Sequence, residues 1–152
     1  MQKQTIDHSR FRKISNEFIL FEQEYSNKFA VIEGKNFTIG FGWNSKEFAE
    51  PYHLKLERFN LLILGIYCNV YAINTKNGSI QLTLGLSDAI FSLDKIDDDF
   101  LIITETGLIK INSYNCSINC LYRIPDSILD YSLKNNIITI NSCSGEKYTY
   151  NI

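Results

Sequence analysis

The sequence predicts an all-β fold, an antiparallel meander of short strands grouped into repeated units. Three observations carry this expectation. The chain matches itself without a gap when shifted by 38 residues, over a window that runs from Asn69 to Ile90. Apolar residues alternate with polar ones in the repeated segment, as at Ile118, Cys120, Tyr122 and Ile124, which places those four on one face of a strand. Clusters of Gly, Asn, Asp and Ser interrupt the apolar segments at short intervals, the punctuation of tight turns.

Taken in order, residues 1–49 form an N-terminal region outside the period. Within it, "NEFILFEQEY" is compatible with a strand or a short helix. "KFAVIEGKNFTIGFGW" reads as a hairpin, with Phe37, Ile39, Phe41 and Trp43 alternating and Gly34 in the turn. Three units follow, at 50–87, 88–125 and 126–152, all within a single domain. The middle unit shows the grammar best. Its strands run from Asp88 to Lys95, Phe100 to Thr104, Leu108 to Ile111 and Ser117 to Ile124, separated by "IDDD", "ETG" and "NSYNC". Four short antiparallel strands in a period of about 40 residues describe a propeller blade. The expected architecture is therefore a partial or small β-propeller of blade-like repeats, with a meandering β-sandwich as the alternative. An open array has to cover its last face, with the N-terminal segment or with a partner.

The register is specific. Asn77 falls on Asn115, Ser79 on Ser117, Leu82 on Cys120, Leu84 on Tyr122 and Asp88 on Asp126. Asn69 falls on Gly107, a pair read as a turn position that calls for positive φ. A third copy, "DSILDYSLKNNIITINSCSGEKYTYN", aligns once a residue is inserted near Cys143.

Composition bounds the function. The chain has 152 residues, 45% hydrophobic and 21% charged, with a net charge of -2, enough chain for one core. A balance this close to neutral argues against direct nucleic-acid binding, whose footprint is a strongly basic patch. About a quarter of the residues are Ile or Asn, a bias above average usage that points to an AT-rich gene and a bacterial origin. "MQKQTIDHSRFRK" lacks the apolar core of a secretory signal, and Leu61 to Ile66 is too short for a membrane span, so the expected location is cytoplasmic. Oligomeric state is left open.

No catalytic or cofactor motif is present. Cys116-x-x-x-Cys120 invites a metal reading, but the repeat sets Cys116 at the turn position of Gly78 and Cys120 at the core position of Leu82. Free thiols at Cys68, Cys116, Cys120 and Cys143 are expected, with no metal. His8 lies in a tail expected to be flexible, and His53 opens a strand without a ligand spacing. "TIGFGWN" has two glycines but no following helix, so it is not a phosphate loop. These readings predict a non-enzyme without a cofactor.

Two features remain as candidate partner contacts. Asp97, Asp98 and Asp99, with Glu105 across the second strand, make the densest charge cluster. The bland reading is a solvated turn; the sharper one is an acidic patch for a basic partner. A meander puts Asp97–Asp99 at the end of Asn77-Gly78 and Asn115, and Glu105 at the opposite end with Asp88 and Asp126. Trp43, the one tryptophan, is either core packing or an interface anchor.

"FLIITETGLIKINSYN" and "LILGIYCNVYAINTKNG" resemble propeller blades in general and lack the Trp-Asp signature of WD40 repeats. In size, Ile/Asn-rich composition, acidic loops and lack of catalytic motifs, the chain also resembles the small cytoplasmic immunity proteins of bacterial polymorphic toxin systems, such as contact-dependent growth inhibition. That likeness is one of type. It implies binding to one cognate toxin domain, often a nuclease with a basic cleft, and blocking of its active site. The alternative is a small-ligand or carbohydrate-binding propeller-like protein, which needs convergent polar groups around a pocket.

Overall fold

The computed structural model describes residues 2–47 and 49–152, which form four sheets stacked in series. The second sheet comprises β5 (Tyr52–Leu56), β6 (Leu61–Ile66), β7 (Asn69–Asn74) and β8 (Ile80–Gly85), each antiparallel to the next. The third repeats it with β9 (Ile90–Ile96), β10 (Asp99–Thr104), β11 (Gly107–Asn112) and β12 (Ile118–Arg123). The fourth holds β13 (Ile128–Lys134), β14 (Ile137–Ser142) and β15 (Lys147–Asn151). β9 and β13, and likewise β10 and β14, have the same length and lie 38 residues apart. Ile103 pairs with Leu108 and Asn141 with Lys147, so the fourth sheet carries one extra residue in its second turn.

The turns explain the register. Gly78 and its counterpart Cys116 both have positive φ, +78° and +58°, and so do Asp97 and its counterpart Asn135, at +48° and +51°. A non-glycine residue in the left-handed region is uncommon, and Asn and Asp are the types that tolerate it best. One turn expectation is corrected. Asn69 and Gly107 each open a strand after a two-residue turn, but neither has positive φ; in the first turn that conformation falls on Tyr67, at +53°. Gly107 instead eases a close approach, since a Cβ there would stand 3.1 Å from the Tyr122 carbonyl oxygen.

Three hydrophobic cores lie between the four sheets, and the alternation of each middle strand builds two of them at once. On β6, Leu62, Leu64 and Ile66 face the first sheet while Leu61 and Ile63 face the third. On β10, Phe100 and Ile102 face the second sheet while Leu101 and Ile103 face the fourth. This double burial is why these strands read as unbroken apolar runs. β8 and β12, at the edge of their sheets, alternate half-buried with exposed residues.

The first sheet departs from the meander. β1 (Gln2–Ile6), β2 (Ile19–Glu22), β3 (Lys28–Glu33) and β4 (Thr38–Trp43) take the order β1-β3-β4-β2, and β2 runs parallel to β4. The predicted hairpin is its central pair, and "NEFILFEQEY" supplies both a 3-10 turn at Asn16–Phe18 and β2. The N-terminus is not a flexible tail: it pairs with β3, and His8 opens a short helix, α1 (His8–Phe11), capped by Asp7. Phe11 is fully buried against Phe29, with ring centroids 4.7 Å apart. A Cβ on Gly40 would strike Ile14 at 2.8 Å and Phe11 at 3.2 Å, so the glycine lets this segment lie flat on the sheet.

The two outer faces of the stack are therefore finished differently. The N-terminal segment covers the first sheet. The last sheet turns Ser132, Lys134, Thr139, Asn141, Lys147 and Thr149 outward with Ile137 exposed among them, a mostly polar face that needs no cover. The stack does not close into a ring. Among the described residues, no helix is long and apolar enough to cross a membrane.

Candidate functional site

The sheets' turns gather at two ends. One end holds the turns 57–60, 75–79, 97–98, 113–117 and 135–136; the other holds 67–68, 105–106 and 143–146 with the linkers between sheets. Asp97–Asp99 and Glu105 thus lie at opposite ends, as a meander requires.

At the first end, the aspartates are engaged with neighbouring elements. Asp98 receives Arg58 Nη1 at 2.5 and 2.6 Å from the turn before β6. Asp97 accepts from Asn136 Nδ2 at 2.7 Å, across to the fourth sheet. Asp99, whose side chain is 15% exposed, accepts from Asn112 Nδ2 at 3.2 Å and Asn119 Nδ2 at 3.1 Å and lies 3.6 Å from Lys110 Nζ. Each carboxylate of the densest run in the sequence thus has partners within the protein, Asp97 and Asp98 at the exposed surface and Asp99 half-buried.

The opposite end is different. Glu47, Glu50, Asp88, Glu105, Asp126 and Glu146 all belong to its linkers and turns. Among the described residues only Glu50 has a cation within ion-pair reach, Lys3 at 3.6 Å. Asp88 accepts from Thr106 Oγ1 at 2.7 Å. Asp126 is held below the usual carboxylate range by the Ser144 backbone N–H and hydroxyl and by the Ser127 N–H. The field of this end reaches Cys68, where burial first, and then Asp88 and Glu105, push the thiol up. Glu47, Glu50 and Glu105 line an open depression of about 360 Å³ together with Tyr52, Tyr67 and Ile90. Glu105 was legible as a charge in the sequence. Glu47 and Glu50 were not, because the linker that brings them beside Glu105 belongs to no repeat.

Trp43 is a core residue, not a surface anchor. It is 1% exposed, stacked on Phe41 at 5.9 Å and packed toward β6 and β7. Its Nε1 has no hydrogen-bond partner among the described residues. The four cysteines are unpaired, and no His, Cys, Asp or Glu cluster suited to a metal occurs among the described residues. Cys116 stands in the β11–β12 turn as expected, and from there its half-buried side chain packs against the core between the second and third sheets.

The stack defines an all-β protein of propeller-blade-like units in an open array. Known structures agree on that class. The chain is similar to the computationally designed Ika4 protein, at 12% identity and a TM-score of 0.57, covering 91% of this chain and 99% of that one. It is also similar to the propeller-like BamB from Moraxella catarrhalis, at 8% identity and a TM-score of 0.53, covering 99% of this chain. The chain spans about half the length of BamB, 47%. At these identities the likeness concerns the fold alone. No protein-family model and no curated protein matches the sequence.

Proposed function

We propose that the protein is a non-catalytic binding module that receives a basic protein partner at its acidic end, and that it acts as an immunity protein neutralising a cognate toxin domain, a nuclease by preference. The observation that carries the reading is the depression at that end. Three carboxylates share it with two tyrosines and Ile90, and Asp88, Asp126 and Glu146 belong to the same end. Glu47 and Glu105 have no cation within ion-pair reach among the described residues and Glu50 has only Lys3 at 3.6 Å, so a basic cleft can pair with them in place of phosphates. Aromatic lining residues suit an anchor at such an interface. The strands behind them, buried on both faces, hold the surface rigid.

The test begins with recovery of the partner from the source organism and its purification. Glu47→Gln, Glu50→Gln and Glu105→Gln together should slow association about 10-fold or more at low ionic strength and flatten its salt dependence. Asp97→Asn alone should leave the rate unchanged. An unaltered on-rate in the triple variant would remove the acidic end from the interface.

A further inference from the structure

We propose that the seam between the second and third sheets carries a binding site for a neutral saccharide, at the end of the molecule opposite the acidic depression. The argument starts from the repeat. In the third sheet the side-chain amides of Asn112 and Asn119 both donate to the Asp99 carboxylate, and Lys110 stands beside it. Shifted back by 38 residues, the same positions in the second sheet are Asn74, Gln81, Leu61 and Ala72. The two amide side chains are retained, while the acceptor and the lysine that balances it are both gone; Gln81 Nε2 donates instead to Ser79 Oγ at 2.7 Å, and Asn74 Oδ1 accepts from the Lys76 backbone N–H at 2.9 Å.

A cavity of about 150 Å³ occupies that place. Asn74 and Gln81 line one side, and the β11–β12 turn supplies Ser113, Tyr114 and Asn115 on the other, with Phe59 beside them. Ser113 is 2% exposed, and its Oγ has no hydrogen-bond partner among the described residues. A buried hydroxyl without a partner is costly and calls for an explanation. The turn holding it is braced, since Asn112 Oδ1 accepts from the backbone N–H groups of Tyr114 and Asn115, at 2.9 and 3.2 Å.

The lining selects the ligand class. No charged side chain lines the cavity, and Arg58 beside it is committed to Asp98. With Ala72 where the third sheet has Lys110, a carboxylate or phosphate would enter without a counter-charge, which burial penalises. Amides and a hydroxyl instead match ligand hydroxyls, which both donate and accept. Tyr114 is 87% exposed at the rim, an aromatic face that fits the apolar side of a sugar ring. The volume is below that of pockets for drug-sized ligands, so one ring is the expected occupant.

The probes are glucose, galactose, mannose and N-acetylglucosamine, titrated into nitrogen-15-labelled protein. The side-chain amide resonances of Asn74, Gln81 and Asn115 should move saturably with at least one of them. Ser113→Ala, Gln81→Ala and Tyr114→Ala should each weaken that binding about 2- to 10-fold, the range of one neutral hydrogen bond or ring contact. Gln81 and Tyr114 are exposed, so their variants keep the fold and the comparison stays readable. The proposal is overturned if none of the four sugars gives a saturable shift, or if Gln81→Ala and Tyr114→Ala both bind as tightly as the parent. It is equally overturned if glucuronate or glucose 6-phosphate binds as tightly as the neutral sugar. None of these results bears on the acidic end.

Discussion

Arg58 Nη1 donates to both oxygens of the Asp98 carboxylate, at 2.5 and 2.6 Å, across the seam between the second and third sheets. The residues lie 40 positions apart, about one blade. Both side chains are well exposed, at 73% and 59%. Such a pair steers packing more than it stabilises it. A double-mutant cycle with Arg58→Ala and Asp98→Asn should return a coupling of about 0.2–1 kcal/mol that fades as salt is added. Asp99→Ala should cost more, about 1–3 kcal/mol in urea unfolding, because it strands the half-buried Asn112 Nδ2 and leaves Lys110 without its counter-charge. If Asp99→Ala is as mild as Asp98→Asn, the pairing role assigned to Asp99 fails.

Ile102 and Ile103 are neighbours on β10, both fully buried, and they point into different cores. Replacing either with Ala should destabilise by about 2–5 kcal/mol in denaturant unfolding. Ile118, exposed on β12, should change stability by no more than about 0.5 kcal/mol when replaced by Ala. Unequal losses at 102 and 103 would show that one of the two cores is loosely packed.

Gly78 and Gly145 separate strain from crowding. Both have positive φ, +78° and +87°. A Cβ at Gly145 would meet open space, whereas one at Gly78 would come within 2.4 Å of Phe37 Cγ and 2.8 Å of its Cβ. Gly145→Ala should therefore cost about 1–2 kcal/mol for backbone conformation alone. Gly78→Ala should cost more, since Phe37 must also move. Thermal unfolding of the two variants side by side checks the order.

Tyr131 sets an alkaline limit. Its hydroxyl donates to the Asp94 carboxylate and lies 2.8 Å from Ser92 Oγ, joining β13 to β9. Burial first, and then the hydrogen bond to Asp94, push the phenol up to about 12. In the unfolded chain a phenol titrates near about 10, so the unfolded state loses its proton first as pH rises. This contribution is fully present below about pH 10 and is lost between about 10 and 12, at up to about 1.4 kcal/mol per pH unit. Tyr131→Phe should make the urea midpoint less sensitive to pH across that window. Equal slopes for the two proteins would show that the phenol does not govern the loss.

The sequence by itself determined the strands, their turns and the 38-residue register. These are properties of neighbours: alternation along Cys120, Tyr122 and Ile124, and turn residues at Gly78 and Cys116 and at 97–98 and 135–136. The left-handed conformations themselves fell on other residues than the expected Asn69 and Gly107, and Ile118 is exposed beside a bulge in the pairing. The sequence could not place the first sheet, where β1 joins β3 across more than twenty residues and β2 runs parallel to β4. A pairing outside the repeat leaves no periodic trace. Nor could it distinguish the two acidic ends. Asp97–Asp99 stand out because the three charges are adjacent in the chain, yet their partners Arg58 and Asn136 lie 39 or 40 residues away. Glu47, Glu50 and Glu105 are scattered in the chain and adjacent in space. Trp43 followed the same logic: alternation put it on a face, but only the stacking of the second sheet on the first decided that the face is buried. Charge and apolarity are written residue by residue. Whether they are neutralised or covered depends on which distant segment packs against them, and only the tertiary structure decides that.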